Sequence, residues 1–201
     1  MAHIKRKYID SHWLVFVFQG IITLLFGCLT LFTGDNDSSS LIPIVGIFLL
    51  ALAIVEFANS IYRSMRQHGW LVSTAVAVFD AIFGVALLFM TNESMTWQLV
   101  TMSGYTLARG IFEIVIAMRT TVDPTDRFIW GLCGLCGIVF GIVIFNSGHL
   151  ANVDFLRFFG AYMMILGVSS LIYSAHNRVQ QREDRTARSE AAKKRSKKAK
   201  K

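Results

Sequence analysis

Charge is scarce in this sequence. Only 16% of the 201 residues are Asp, Glu, Lys or Arg, where a soluble domain carries about 25%. The deficit is uneven, because 11 of the 20 basic residues and 3 of the 13 acidic ones fall in positions 176–201. That tail is net +8, and residues 1–175, with 9 basic and 10 acidic residues, are net −1. An apolar body with so few charges cannot coat a soluble surface, which excludes an ordinary soluble enzyme. Three cysteines and two prolines in the whole chain exclude a disulfide scaffold. A body without positive excess excludes a nucleic-acid-binding domain of the usual basic kind.

What is present is apolar sequence in long runs. A bilayer-crossing helix needs about 20 mostly apolar residues, and six such runs occur, at about 12–33, 41–62, 70–90, 97–118, 128–146 and 153–175. The expected fold is therefore all-α: a polytopic membrane protein of six helices, in which short links make successive helices antiparallel neighbours. Residues 1–11 precede the membrane domain of 12–175, and the basic tail of 176–201 follows it.

Lys and Arg set the orientation. The loops Thr33–Ser40, Thr91–Thr96 and Asn146–Asp154 contain none, whereas Lys5, Arg6, Lys7, Arg63, Arg66, Arg119, Arg127 and the tail share the other side. Short cytoplasmic loops carry the basic excess, so both termini are expected in the cytoplasm. Trp13, Trp70 and Trp130 stand at that same interface, as an aromatic belt requires. Leu25-Phe26-Gly27-Cys28 faintly resembles a lipoprotein cleavage box, but Phe-Gly recurs at 83–84 and 140–141 without a following cysteine. The first run is accordingly read as a retained span.

That recurrence is a repeat. A shift of 57 residues superposes Phe26-Gly27, Phe83-Gly84 and Phe140-Gly141, and also pairs Trp13 with Trp70 and Glu56 with Glu113. The unit is a helical hairpin, at 13–62, 70–119 and 127–176. Two spans per unit give successive copies one orientation, so these are parallel repeats about an axis near the membrane normal. Gly27, Gly84, Gly137 and Gly141 are assigned to helix packing, since small residues let helices approach in lipid. Thr23, Asp80 and Gly137 each precede the repeated glycine by four positions, on one helix face. These faces of the odd-numbered helices are expected to meet at the bundle centre.

Three tandem hairpins with a Trp- or Phe-led first helix, a central Phe-Gly and a glycine-rich second helix resemble the HdeD family over about residues 10–175. The resemblance implies a six-helix bacterial inner-membrane protein with a structural or acid/envelope-stress role, and it carries over no catalytic residues. The basic tail lies outside it.

Four ionisable residues fall inside spans: Glu56, Asp80, Arg109 and Glu113. An uncompensated charge at mid-membrane costs about 2.5–3.5 kcal/mol even on the lenient scale, so they should face inward and pair. Asp80 lies ten residues after Trp70 and Arg109 ten before Arg119, which puts both about 15 Å from the cytoplasmic boundary and makes them the expected pair. Glu113 is one turn from Arg109, and Tyr105, Arg109 and Glu113 continue one stripe. Gln19 and Asn59 could add polar contacts. Together they form an intramembrane polar column. It is read first as an ion pair that fixes helix register, and second as a set of carboxylates that respond to protonation or line a solute path. Glu56 has no cation on its own helix before Arg63, so it is the carboxylate expected to take up a proton.

Other signals lead to no chemistry. Cys133 and Cys136 have a metal-like spacing but sit in an apolar span without a second pair. Cys28 has no assignable partner, and His149 is a lone loop histidine. No catalytic, cofactor-binding or metal residues are assigned, and enzyme activity is not expected. The implied partners are the lipid bilayer and, for the tail, anionic headgroups at about 1 kcal/mol per basic residue. A homo-oligomer is a candidate assembly, and no specific nucleic acid is expected, for the tail lacks aromatics to stack on bases. The alternative function class is a small transporter or channel along the polar column. Continuous central packing favours a scaffold, and a polar cavity reaching both faces favours transport.

Overall fold

The computed structural model describes residues 13–32, 38–64, 70–90, 93–119, 124–146 and 154–199. Lys5–Lys7, Arg66, His149, and most of the first and third lysine-free loops lie outside the described residues. Six helices follow in order: α1 Trp13–Phe32, α2 Ser38–Ser64, α3 Trp70–Phe89, α4 Met95–Arg119, α5 Pro124–Asn146 and α6 Asp154–Ala199. All six contain stretches long and apolar enough to cross a membrane. The shortest, at 20 residues, is about 30 Å long, the thickness of a hydrocarbon core. Pro124 opens α5, where a missing N–H leaves no bond unmade.

α6 runs on past the last span. The formers in the tail mark it as a solvated extension of that span that frays into disorder, and the helix continues to Ala199. Positions 176–199 contain neither glycine nor proline and are rich in Ala, Arg, Lys, Glu and Gln, the strongest helix formers.

The helices close into a ring with an inner and an outer set. About half of the span residues are buried in α2 and α6, but only 28% in α3 and 33% in α5. Most of the bulky side chains that are fully enclosed, among them Tyr105, Tyr162, Phe155, Phe159, Ile42, Leu49 and Met102, come from even-numbered helices, and Leu87 on α3 and Ile144 on α5 join them. The odd-numbered helices lie outside and turn Phe18, Leu25, Ile82, Leu135 and Ile142 outward.

Tight packing runs between repeats. The closest pairs are α2 with α3, α4 with α5, and α6 with α1, whereas the two helices of each sequence repeat touch far less. Glycine explains the difference. A methyl group added at Gly46 would lie 2.9 Å from the Gly84 carbonyl oxygen, and one at Gly84 would lie 3.0 Å from that of Gly46. The α4–α5 seam repeats this at Gly110 and Gly134, with 2.7 and 2.6 Å. The α6–α1 seam repeats it twice, at Gly167/Gly20 with 2.9 Å each way and at Gly160/Gly27 with 3.1 and 2.8 Å. Bare Cα–H groups thus lie against carbonyls across each seam, contacts worth about 0.5–1 kcal/mol each.

The 57-residue shift organises these seams. It carries Gly46/Gly84 to Ser103/Gly141, then to Gly160 and, on closing the ring, Gly27. It also carries Ala53/Ala77 to Gly110/Gly134 and then to Gly167/Gly20. Two layers of small-residue pairs therefore occur at all three seams.

The phenylalanine of each Phe-Gly pair has the complementary task. Phe26 stacks on Phe48 with ring centroids 3.9 Å apart, Phe83 meets Tyr105 at 5.6 Å, and Phe140 meets Tyr162 at 6.3 Å. In each case the partner is 22 residues on, in the second helix of the same repeat. Phenylalanine joins the two helices of a repeat, and the adjacent glycine joins one repeat to the next.

The expectation that the faces bearing Gly27, Gly84, Gly137 and Gly141 meet centrally is therefore corrected. They sit at the seams: Gly27 on α6, Gly84 on α2, and Gly137 and Gly141 on α4. Glycine brings two backbones together side by side, but the middle of a six-helix ring is too wide for that and is filled by aromatic and large aliphatic side chains. The ring closes at the end near the termini, where the Ser174 hydroxyl donates to the Trp13 carbonyl at 2.7 Å and Arg178 lies 4.6 Å over the Trp13 ring.

A buried charge cluster as the candidate functional site

Arg109 is the hub of the polar centre. Its stripe on α4 faces the bundle interior, because the neighbouring Gly110 holds α4 tightly against α5 and turns Arg109 toward α2 and α3. Its Nη2 lies 2.5 Å from Glu56 Oε1, its Nη1 2.8 Å from Asp80 Oδ2 and 3.3 Å from Glu56 Oε2, and its Nε 3.4 Å from Glu113 Oε1. One guanidinium thus ties three carboxylates from three helices. Asp80 and Glu113 are fully enclosed, and Arg109 and Glu56 are 4% and 6% exposed.

Neutral donors complete the shell. Gln19 donates from Nε2 to Glu56 Oε1 at 3.0 Å, Tyr105 donates its hydroxyl to Asp80 Oδ1 at 3.1 Å, and Tyr162 donates to Glu113 Oε1 at 3.3 Å. The structure therefore brings together all five residues of the polar column, Glu56, Asp80, Tyr105, Arg109 and Glu113, and adds α1 and α6 through Gln19 and Tyr162. Breaking such a network by removing its one cation costs about 3–5 kcal/mol, because the carboxylates remain buried.

One expectation changes here. Glu56 was singled out as lacking a cation, but both its oxygens face Arg109. The nearest cation came from α4, across the bundle, and own-helix spacing could not reveal it. Tyr162 was missed in the sequence, although a signal existed: the 57-residue shift carries Tyr105 onto Tyr162.

The repeat also shows how the cluster departs from symmetry. Equivalent positions hold Leu52, Arg109 and Leu166; Glu56, Glu113 and Ser170; and Thr23, Asp80 and Gly137. The hub arginine occurs in one repeat only.

A partly enclosed cavity of about 60 Å³ reaches this cluster from the side of the chain termini. Gln19, Glu56, Asn59, Ser73 and Arg109 supply its polar wall, and Phe16, Ile116, Trp130 and Tyr173 are among its apolar ones. This is room for a few waters. A second void of about 10 Å³ lies deeper, between Thr23, Tyr105, Arg109 and Ser170. Beyond the cluster, toward the opposite face, Phe26, Phe48, Leu87, Met102, Ile144, Phe155 and Phe159 form a continuous apolar layer. Both of these cavities lie on the terminal side of that layer.

Two buried oxygens at this site, Asn59 Oδ1 and Glu113 Oε2, have no hydrogen-bond partner among the described residues. Cys28, Cys133 and Cys136 are free thiols, and no group of three or more His, Cys, Asp or Glu among the described residues is arranged to hold a metal ion.

The repeat seen in sequence and packing has a counterpart in a known family. The model of a short repeat of unknown function, DUF308, matches the chain twice, at residues 18–89 and 75–146. The chain belongs to this family. Both ends of the second match are displaced from the first by the 57 residues that superpose the Phe-Gly pairs. Each match also runs past one hairpin into the first helix of the next, so it includes a glycine seam as well as a Phe-aromatic contact. Comparison with curated proteins and with solved structures finds no match.

Proposed function

We propose that this multi-pass membrane protein is a non-catalytic inner-membrane component of HdeD type with a structural role in acid or envelope stress, and that the Arg109 cluster is the element that responds. The observation that carries this reading is the charge imbalance at the centre: three buried carboxylates face one buried guanidinium. A purely structural pair needs one carboxylate. A surplus of buried acid, reachable by water from one side, is a group of sites that exchange protons with that side.

On this reading both termini are cytoplasmic; the positions of Arg63, Arg119, Arg127 and the basic end of α6 at one end of the bundle support it, because short cytoplasmic loops carry the basic excess. The tail then meets anionic headgroups of the inner leaflet. The apolar layer beyond the cluster supports a sensor or scaffold over a transporter, which needs a polar path to both faces.

The test is acid survival of a deletion strain complemented with the wild-type chain or with Glu56→Gln, Asp80→Asn and Glu113→Gln. Complementation lost in the carboxylate variants, at equal membrane abundance, is the expected result. Full complementation by all three would remove the reading.

A further inference from the structure

The geometry points to Glu113 as a proton-binding site, whose proton is exchanged with the side of the chain termini through the Asn59 cavity. This deepens the reading above, on which it rests, by naming the residue that holds the proton and the route to it.

With all three carboxylates ionised, the cluster carries a net charge of −2 in a region sealed by apolar side chains. Hydrogen bonds to a carboxylate favour its charged form, so a carboxylate whose bonds are long and confined to one oxygen is the cheapest to neutralise. Asp80 is bonded at both oxygens, by Arg109 at 2.8 Å and by Tyr105 at 3.1 Å. Glu56 is bonded at both, by Arg109 and Gln19. Glu113 also receives two donors, but Arg109 Nε stands at 3.4 Å and Tyr162 at 3.3 Å, and both reach Oε1. Its Oε2 has no partner among the described residues although the side chain is fully enclosed. The groups facing the cluster from every packed helix fit this assignment: Gln19 on α1, Glu56 on α2, Asp80 on α3, Tyr105 and Arg109 on α4, Cys133 on α5 and Tyr162 on α6. None besides Arg109 is a cation.

Uptake is simple to balance. A hydronium ion in the cavity gives up a proton, an O–H bond forms at Glu113 Oε2, water remains behind, and the cluster goes from −2 to −1. The route follows from the second unpartnered oxygen. Asn59 is 5% exposed and lines the cavity, and its buried Oδ1 has no partner among the described residues. The same cavity touches Arg109, whose Nε holds Glu113, so one side-chain layer separates its water from the site.

Infrared spectroscopy of the full chain in nanodiscs tests this directly through the carbonyl stretch of a protonated, buried carboxyl group. The wild type should gain this band as the pH is lowered from neutral. Glu56→Gln should gain it too, because Glu113 and its unpartnered Oε2 are unchanged. Glu113→Gln should lose it while melting like the wild type, since the amide stands in for the neutral acid. Asn59→Leu should keep the amplitude but slow the deuterium shift of the band several-fold. A band of wild-type intensity in Glu113→Gln, or no band in the wild type, overturns the assignment of the site. An unchanged exchange rate in Asn59→Leu overturns the route. Neither outcome depends on survival in acid, so the inference and the stress role can fail separately.

Discussion

The seams and the centre of this bundle obey different rules. At the seams the repeat is kept: small residues occupy both layers of all three interfaces, and the aromatic contact within each hairpin recurs three times. At the centre the repeat is broken. Positions that are Leu in two repeats hold Arg109 in the third, and the position of Glu56 and Glu113 holds Ser170. Packing needs the same solution at every seam, because each must bring two backbones together in lipid, where no hydrophobic force drives helices together. A ring closed on symmetric leucines would fold without any ion. The charges are an addition to the fold, and they sit where symmetry is lost.

The contrast can be broken most severely at its hub. Arg109→Leu restores the residue of the other repeats but strands three acids, and should cost about 3–5 kcal/mol, read as a large fall in the thermal midpoint in detergent. Adding Glu56→Gln, Asp80→Asn and Glu113→Gln to Arg109→Leu should recover most of that loss, because a neutral centre often matches a buried ion pair in stability. A seam is broken by Gly134→Ala, whose methyl group would lie 2.6 Å from the Gly110 carbonyl oxygen and from the Ile114 side chain. Separating α4 from α5 should cost about 1–3 kcal/mol. Tyr162→Phe removes one hydrogen bond to Glu113 and should cost about 0.5–1.5 kcal/mol. Gly104→Ala sharpens the comparison from the other side: nothing lies within 4 Å of an added methyl there. It should leave stability unchanged or raise it by up to about 1 kcal/mol, the helix-propensity gain. A loss at Gly104 equal to that at Gly134 would show that glycine content, and not seam contact, matters.

Much of this architecture is legible in the residues. The six helices follow from run length and scarcity of charge, because a chain that must satisfy its backbone in lipid has few alternatives. The 57-residue period fixes parallel hairpins, and depth along the helix brings Asp80 to the level of Arg109, where the structure holds them 2.8 Å apart. Three things were not readable. Ring closure decides that Gly27 faces Gly160 on α6 instead of its odd-helix counterparts, and no local pattern states which helices are inner. Glu56 meets Arg109 across 53 positions, so a search for partners on its own helix could not find the contact. The length of the last helix is the third: formers mark the tail as an extension of the span, but they do not state that it runs to Ala199.

The seams make the fold, and on the proposed reading the charges make the function. The variant with Arg109→Leu, Glu56→Gln, Asp80→Asn and Glu113→Gln measures both at once, through thermal unfolding of the purified protein and acid survival of cells that carry it. A midpoint near that of the wild type together with lost protection is the predicted pair of results. Full protection by a cluster without a single charge would contradict the account.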